Sequence, residues 1–155
     1  MLAMTKELTA AMIRVKTLHK GEVEVPEDQL ITFVKPLLGF EKLKRFLIYQ
    51  TKTGPLYWMQ SVEDEKAAFC LLAPFLAGLD PDLEILPSDV IDISAGGSGD
   101  IDVYTVMVLD KDPAQIRTNL RAPILVGRTS GKAKQVVLDD LKLPIRFFLK
   151  DMRAV

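Results

Sequence analysis

The 155-residue chain has one cysteine, Cys70, one histidine, His19, and one tryptophan, Trp58. A single cysteine excludes an internal disulfide framework and a cysteine-rich zinc site. A single histidine excludes any centre that needs two imidazoles. Long apolar runs are missing too. The longest, residues 67–79, is interrupted by Pro74 and Gly78, whereas a membrane-spanning helix needs about 20 apolar residues. Lys6 and Glu7 fall where a signal peptide keeps an apolar stretch. A cytoplasmic, reduced protein with no membrane segment is expected. There is no basic excess: the net charge is -1, so the footprint of a dedicated nucleic-acid binder is absent.

What is present fits one ordinary globular domain. Hydrophobic residues make up 48% and charged residues 26%, which excludes disordered and fibrous classes. A chain of this length buries enough surface to fold without disulfides or metal. The even total charge hides an asymmetry. Residues 1–60 carry net +3, residues 61–102 net -9 and residues 103–155 net +5. Such blocks point either to a charged partner surface or to a solvated loop kept soluble by its acids.

Short β-prone segments dominate: residues 13–17, 23–25, 30–34, 46–49, 56–62, 67–73, 103–109, 124–126 and 136–138. They are separated by Gly, Pro, Asn or Asp, the pattern of an all-β sandwich or barrel. The continuous apolar run at 67–73 reads as a strand buried on both faces. Helical signals are few: residues 5–12 with Thr5 as N-cap, one turn at 40–43, and a start at Ser88 after Pro87. The expected fold is therefore an all-β, mostly antiparallel small barrel or sandwich with a few short helices. Phe46, Ile48, Trp58, Phe69, Leu71, Val106, Val108, Ile124 and Val137 are its expected core.

Candidate chemistry is sparse. Gly96-Gly97-Ser98-Gly99 precedes a strand-like segment, so it lacks the helix that a phosphate loop requires and reads as a flexible loop. Gly127-Arg128-Thr129-Ser130-Gly131-Lys132 has too few residues between its glycines for a P-loop. Ala133 also stands where a magnesium-binding hydroxyl belongs. A hairpin turn is expected there. Asp110-Lys111-Asp112-Pro113 reads as a turn, and Asp139-Asp140 has no histidine nearby to complete a site. Cys70 lies among Phe69, Leu71 and Leu72, surroundings that raise a thiol pKa and make it inert. His19 is expected in a turn between strands. Trp58, on the face opposite Tyr57 and Met59, reads as core. No catalytic, metal or cofactor site is expected.

Several stretches, taken in order, resemble the flagellar assembly factor FliW family. They begin with Gly21-Glu22-Val23-Glu24-Val25, Ile31-Thr32-Phe33, Gly39-Phe40-Glu41 and Lys44-Arg45-Phe46. They continue through Trp58-Met59-Gln60-Ser61-Val62-Glu63-Asp64, Ala68-Phe69 and Pro74-Phe75. The most specific is Thr118-Asn119-Leu120-Arg121-Ala122-Pro123-Ile124, preceded by Asp112-Pro113. Gln135-Val136-Val137-Leu138 and Pro144-Ile145-Arg146 complete the set. Leu38, Gly127-Arg128 and Leu143 depart from the family pattern. On this reading residues 1–12 are an N-terminal extension and residues 13–155 form one FliW-like β domain.

The resemblance implies a non-enzymatic regulator that binds the RNA-binding translational repressor CsrA and also flagellin. Flagellin titrates the factor. Once flagellin is exported, the free factor sequesters CsrA and relieves repression of flagellin translation. Two readings from other classes stand beside it. One is a small-ligand or enzymatic β-barrel domain with a pocket at the barrel mouth. The other is direct RNA binding through Lys132, Lys134, Lys142 and Arg146.

Within the regulator reading, the acidic middle is the candidate partner surface. Glu63, Asp64 and Glu65 lie in a turn. Asp80, Asp82 and Glu84 lie in a Pro-bearing loop after Phe75 and Leu76. If turn and loop meet, they form a negative patch beside apolar anchors, suited to a basic partner. Gln60, Asn119, Pro123 and Gln135 are expected to be mainly structural. Asn119 bonds backbone groups, and Pro123 sits at a strand edge or bulge.

Overall fold

The computed structural model describes residues 11–52, 54–79, 81–94 and 98–154. Its strands are β1 (Met12–Thr17), β2 (Gly21–Pro26), β3 (Leu30–Phe33), β4 (Arg45–Gln50), β5 (Leu56–Ser61) and β6 (Ala68–Leu72). They continue as β7 (Ile101–Val108), β8 (Arg117–Thr118), β9 (Ile124–Gly127), β10 (Lys132–Gln135) and β11 (Phe147–Phe148). Seven of them close a barrel in the order β3-β4-β5-β6-β7-β9-β10 and back to β3. All neighbours are antiparallel except β10 with β3, which run parallel. The fold is all-β and mostly antiparallel as expected, and of the two expected forms, barrel or sandwich, it is the barrel. Closure leaves no free edge around the seven strands.

Successive residues of a strand point to opposite faces, and here both faces are covered. Phe46, Met59, Leu71, Ile124 and Ala133 fill the interior. Their neighbours Leu47, Leu72 and Leu125 point outward yet are also buried. The β1–β2 hairpin covers Leu30 and Leu47 with Val15. Leu79 and the C-terminal Phe147 and Leu149 pack over Cys70, Leu72 and Met107. Residues 85–93 cover Leu125 with Val90 and Ile93. This double cover is why the run at 67–73 is apolar throughout.

Several expectations are corrected. Val108 is 44% exposed and Val137 62%. Val108 is the last residue of β7, beyond its pairing with β6. Val137 points away from the barrel, because the flanking Val136 and Leu138 amides bond Pro123 and Arg121 carbonyls. Phe46, Leu71 and Ile124 are fully enclosed, while Ile48, Trp58, Phe69 and Val106 are half-buried. The last barrel strand is Lys132–Gln135, not residues 136–138. Residues 40–43 form a turn, not a helix: Leu37 bridges Phe40, and Gly39 at φ 84° supplies the left-handed bend. Thr5 and residues 95–97 lie outside the described residues, and Met12 opens β1. The helix at Ser88 is present as α1 (Pro87–Val90), with the Asp89 carboxylate accepting from the Leu86 amide at 2.8 Å.

Candidate partner-binding surfaces

At one end of the barrel, a buried amide shapes the acidic turn. Gln60 sits near the end of β5 and is fully enclosed. Its Oε1 accepts from the Leu18 amide at 2.8 Å. Its Nε2 faces the carbonyls of Ser61, Asp64, Glu65 and Ala67 at 3.1–3.4 Å. One side chain thus ties the turn after β5 to the tip of the β1–β2 hairpin. Ser61 Oγ accepts from the Glu63 and Asp64 amides. Glu63 is engaged internally: its carboxylate accepts from the Lys44 and Arg45 amides at 2.8 and 3.1 Å. Asp64 and Glu65 face solvent. At the hairpin tip, His19 stacks on Trp58 with ring centroids 3.9 Å apart.

Phe75 and Leu76, 50% and 70% exposed, sit at the other end, in the loop that follows β6. Pro74 and Leu79 anchor that loop from inside, the Leu79 amide bonding the Pro74 carbonyl. Asp82 and Glu84 are exposed, and Asp80 lies outside the described residues. The acidic turn and this loop do not meet. The turn precedes Ala68 and the loop follows Leu72, so the length of β6, about 3.4 Å per residue, separates them. Glu84 has other company. It lines one cleft with Asp89, Asp139 and Asp140, over Val136 and Val137.

The motif residues hold a crossing between strands. Asn119 Oδ1 accepts from the Arg121 amide at 2.9 Å, and the Asn119 amide donates to the Val106 carbonyl. Arg121 in turn donates to the Leu143 and Leu141 carbonyls. Pro123 is buried just before β9, and its carbonyl accepts from the Val136 amide. Gln135 donates to the Ala122 carbonyl at 3.2 Å.

Two positions have structural roles that the sequence did not indicate. Lys134 is 4% exposed and pairs with Asp92 at 2.8 Å. The hydrogen bond from Lys134 holds the Asp92 carboxyl below its ordinary range, against a smaller opposing effect of burial. Lys134 is thus no free contact for RNA. At Gly127, any Cβ would run into the Ile93 carbonyl, so only glycine lets residues 85–94 lie this close to β9. Its place in a hairpin signal was visible in the sequence, but the close neighbour was not.

Reactive groups are quiet. Burial pushes the Cys70 thiol up. Burial, then the nearby Asp102 carboxylate and Tyr57, push Tyr104 up to about 12, with Arg128 opposing. Asp110 and Asp112 accept from turn amides at 112 and 114. Among the described residues, no group of three or more His, Cys, Asp or Glu could hold a metal ion. Among them, too, no helix is long and apolar enough to cross a membrane.

Comparison with known proteins settles the family. The family model described as FliW protein matches residues 14–149. The chain belongs to the FliW family. The flagellar assembly factor FliW of Caldicellulosiruptor bescii is 38% identical over 137 residues, 87% of this chain and 89% of that protein. Its counterpart in Caldicellulosiruptor saccharolyticus is 37% identical over 131 residues, covering 83% and 85%. A crystal structure of the flagellar assembly factor FliW matches with a TM-score of 0.75 at 25% identity, covering 88% of this chain and 96% of that one. The FliW barrel described above is thus that of a flagellar assembly factor.

Proposed function

We propose that this protein is a cytoplasmic, non-enzymatic regulator within flagellar assembly. It binds the translational repressor CsrA and flagellin in competition. Export of flagellin frees it to capture CsrA and so relieves repression of flagellin translation. Family membership across residues 14–149 carries this reading. Exposed apolar side chains such as Phe75, Leu76 and Ile91 support protein recognition. The test is gel filtration and calorimetry of the purified full chain with purified CsrA and with purified flagellin. The expected result is a complex with each, and displacement of CsrA by flagellin. Absence of both complexes refutes the proposal, and a ternary complex refutes competition.

A further inference from the structure

Residues 85–94 do more than cover Leu125. Their outer side and the start of β7 enclose a groove of about 550 Å³ floored by Ile85, Val90, Ile101 and Val103. Leu86 and Ile91 stand at its margin, 51% and 80% exposed. Leu86 is shared with the adjoining cleft, where Glu84 and Asp89 face Asp139 and Asp140. These two acidic pairs lie about fifty residues apart in the chain, and only the fold brings them together. Among the described residues, no lysine or arginine lines either depression. Lys134, on the neighbouring strand, is already neutralised by Asp92 at 2.8 Å. The segment is firmly held: Gly127 admits the Ile93 carbonyl, and Ser130 Oγ donates to it. The groove is therefore formed before any partner arrives, which lowers the ordering cost of binding.

We infer that this acid-rimmed apolar groove is where the chain seats a basic protein segment with apolar side chains. This rests on the reading that the chain binds a basic RNA-binding repressor. The apolar floor takes the anchoring side chains. The four carboxylates select lysine- and arginine-bearing segments and raise the association rate. Glu63 lines neither depression and is not part of this surface.

The experiment has two arms on the full chain. In the first, CsrA binding is measured by calorimetry for wild type, Ile91→Ser and the double variant Glu84→Lys/Asp139→Lys. A charge-matched control, Glu41→Lys/Glu65→Lys, lies elsewhere on the surface. All of these positions are exposed, and circular dichroism checks that each variant folds. Ile91→Ser and the groove double variant should each bind at least roughly tenfold more weakly, with the control near wild type. In the second arm, a short amphipathic peptide of leucine and lysine is titrated into labelled wild type and followed by NMR. Its shifts should fall on residues 84–94 and 136–140 and vanish in Ile91→Ser. Unchanged CsrA affinity in the groove variants overturns the inference, as does an equal loss in the control. If wild type does not bind CsrA, the regulator reading fails and the peptide arm decides the groove. Shifts at the groove support it, and shifts elsewhere overturn it.

Discussion

Replacing Gln60 tests whether one buried amide organises an end of the barrel. In Gln60→Leu the shape is nearly kept, but the Leu18 amide loses its acceptor. The carbonyls of Ser61, Asp64, Glu65 and Ala67 lose their shared donor. Leu18, Asp64 and Glu65 are exposed enough for water to replace part of this, whereas Ser61 is fully buried. One or two groups are left unsatisfied at about 1–3 kcal/mol each, so the expected loss is about 2–4 kcal/mol. Gln60→Glu sharpens the test. The introduced carboxyl keeps the acceptor for Leu18 but, when ionised, turns negative charge toward four carbonyls in a buried site. Its folded-state pKa is therefore raised above the unfolded value of about 4.3. The stability of this variant is greatest below that pH and is lost as pH rises through the folded-state pKa. Urea unfolding followed by the fluorescence of Trp58, two residues away on β5, reads both variants over a pH series. Wild-type stability in Gln60→Leu, or a Gln60→Glu curve parallel to wild type at every pH, refutes the reasoning.

Gly127→Ala should cost about 1–3 kcal/mol, because the new methyl meets the Ile93 carbonyl and residues 85–94 must lift. Calorimetric melting checks the cost, and hydrogen exchange at Leu125 should speed up in the same variant. Tyr104, pushed up to about 12, contributes stability that is complete below the unfolded tyrosine value of about 10 and lost as pH rises toward 12. In a spectrophotometric titration, Tyr104→Phe should remove the last phenolate step. A last step that persists in that variant contradicts the burial argument.

The all-β class was legible in the sequence, though not the choice of barrel over sandwich, because period-two patterning and turn residues are local signals. Ile13, Val15 and Thr17, then Val23 and Val25, mark two strands with a turn at His19 between them, and the apolar run at 67–73 announced burial on both faces. Asn119 likewise had the short polar side chain that bonds nearby backbone. Lys132–Gln135 was missed as a barrel strand because half of its residues are lysines. Lys134 is buried there only because Asp92, far away in the chain, neutralises it. The candidate site shows the same division. Net charge by segment told that the middle of the chain is acidic, but not which acids share a surface. β6 holds Glu63 and Asp64 apart from the loop with Asp82 and Glu84, and barrel closure sets Asp139 and Asp140 beside Glu84 and Asp89. Local pattern is written residue by residue. Proximity between distant segments depends on how strands order themselves around a closed sheet, which no single segment encodes.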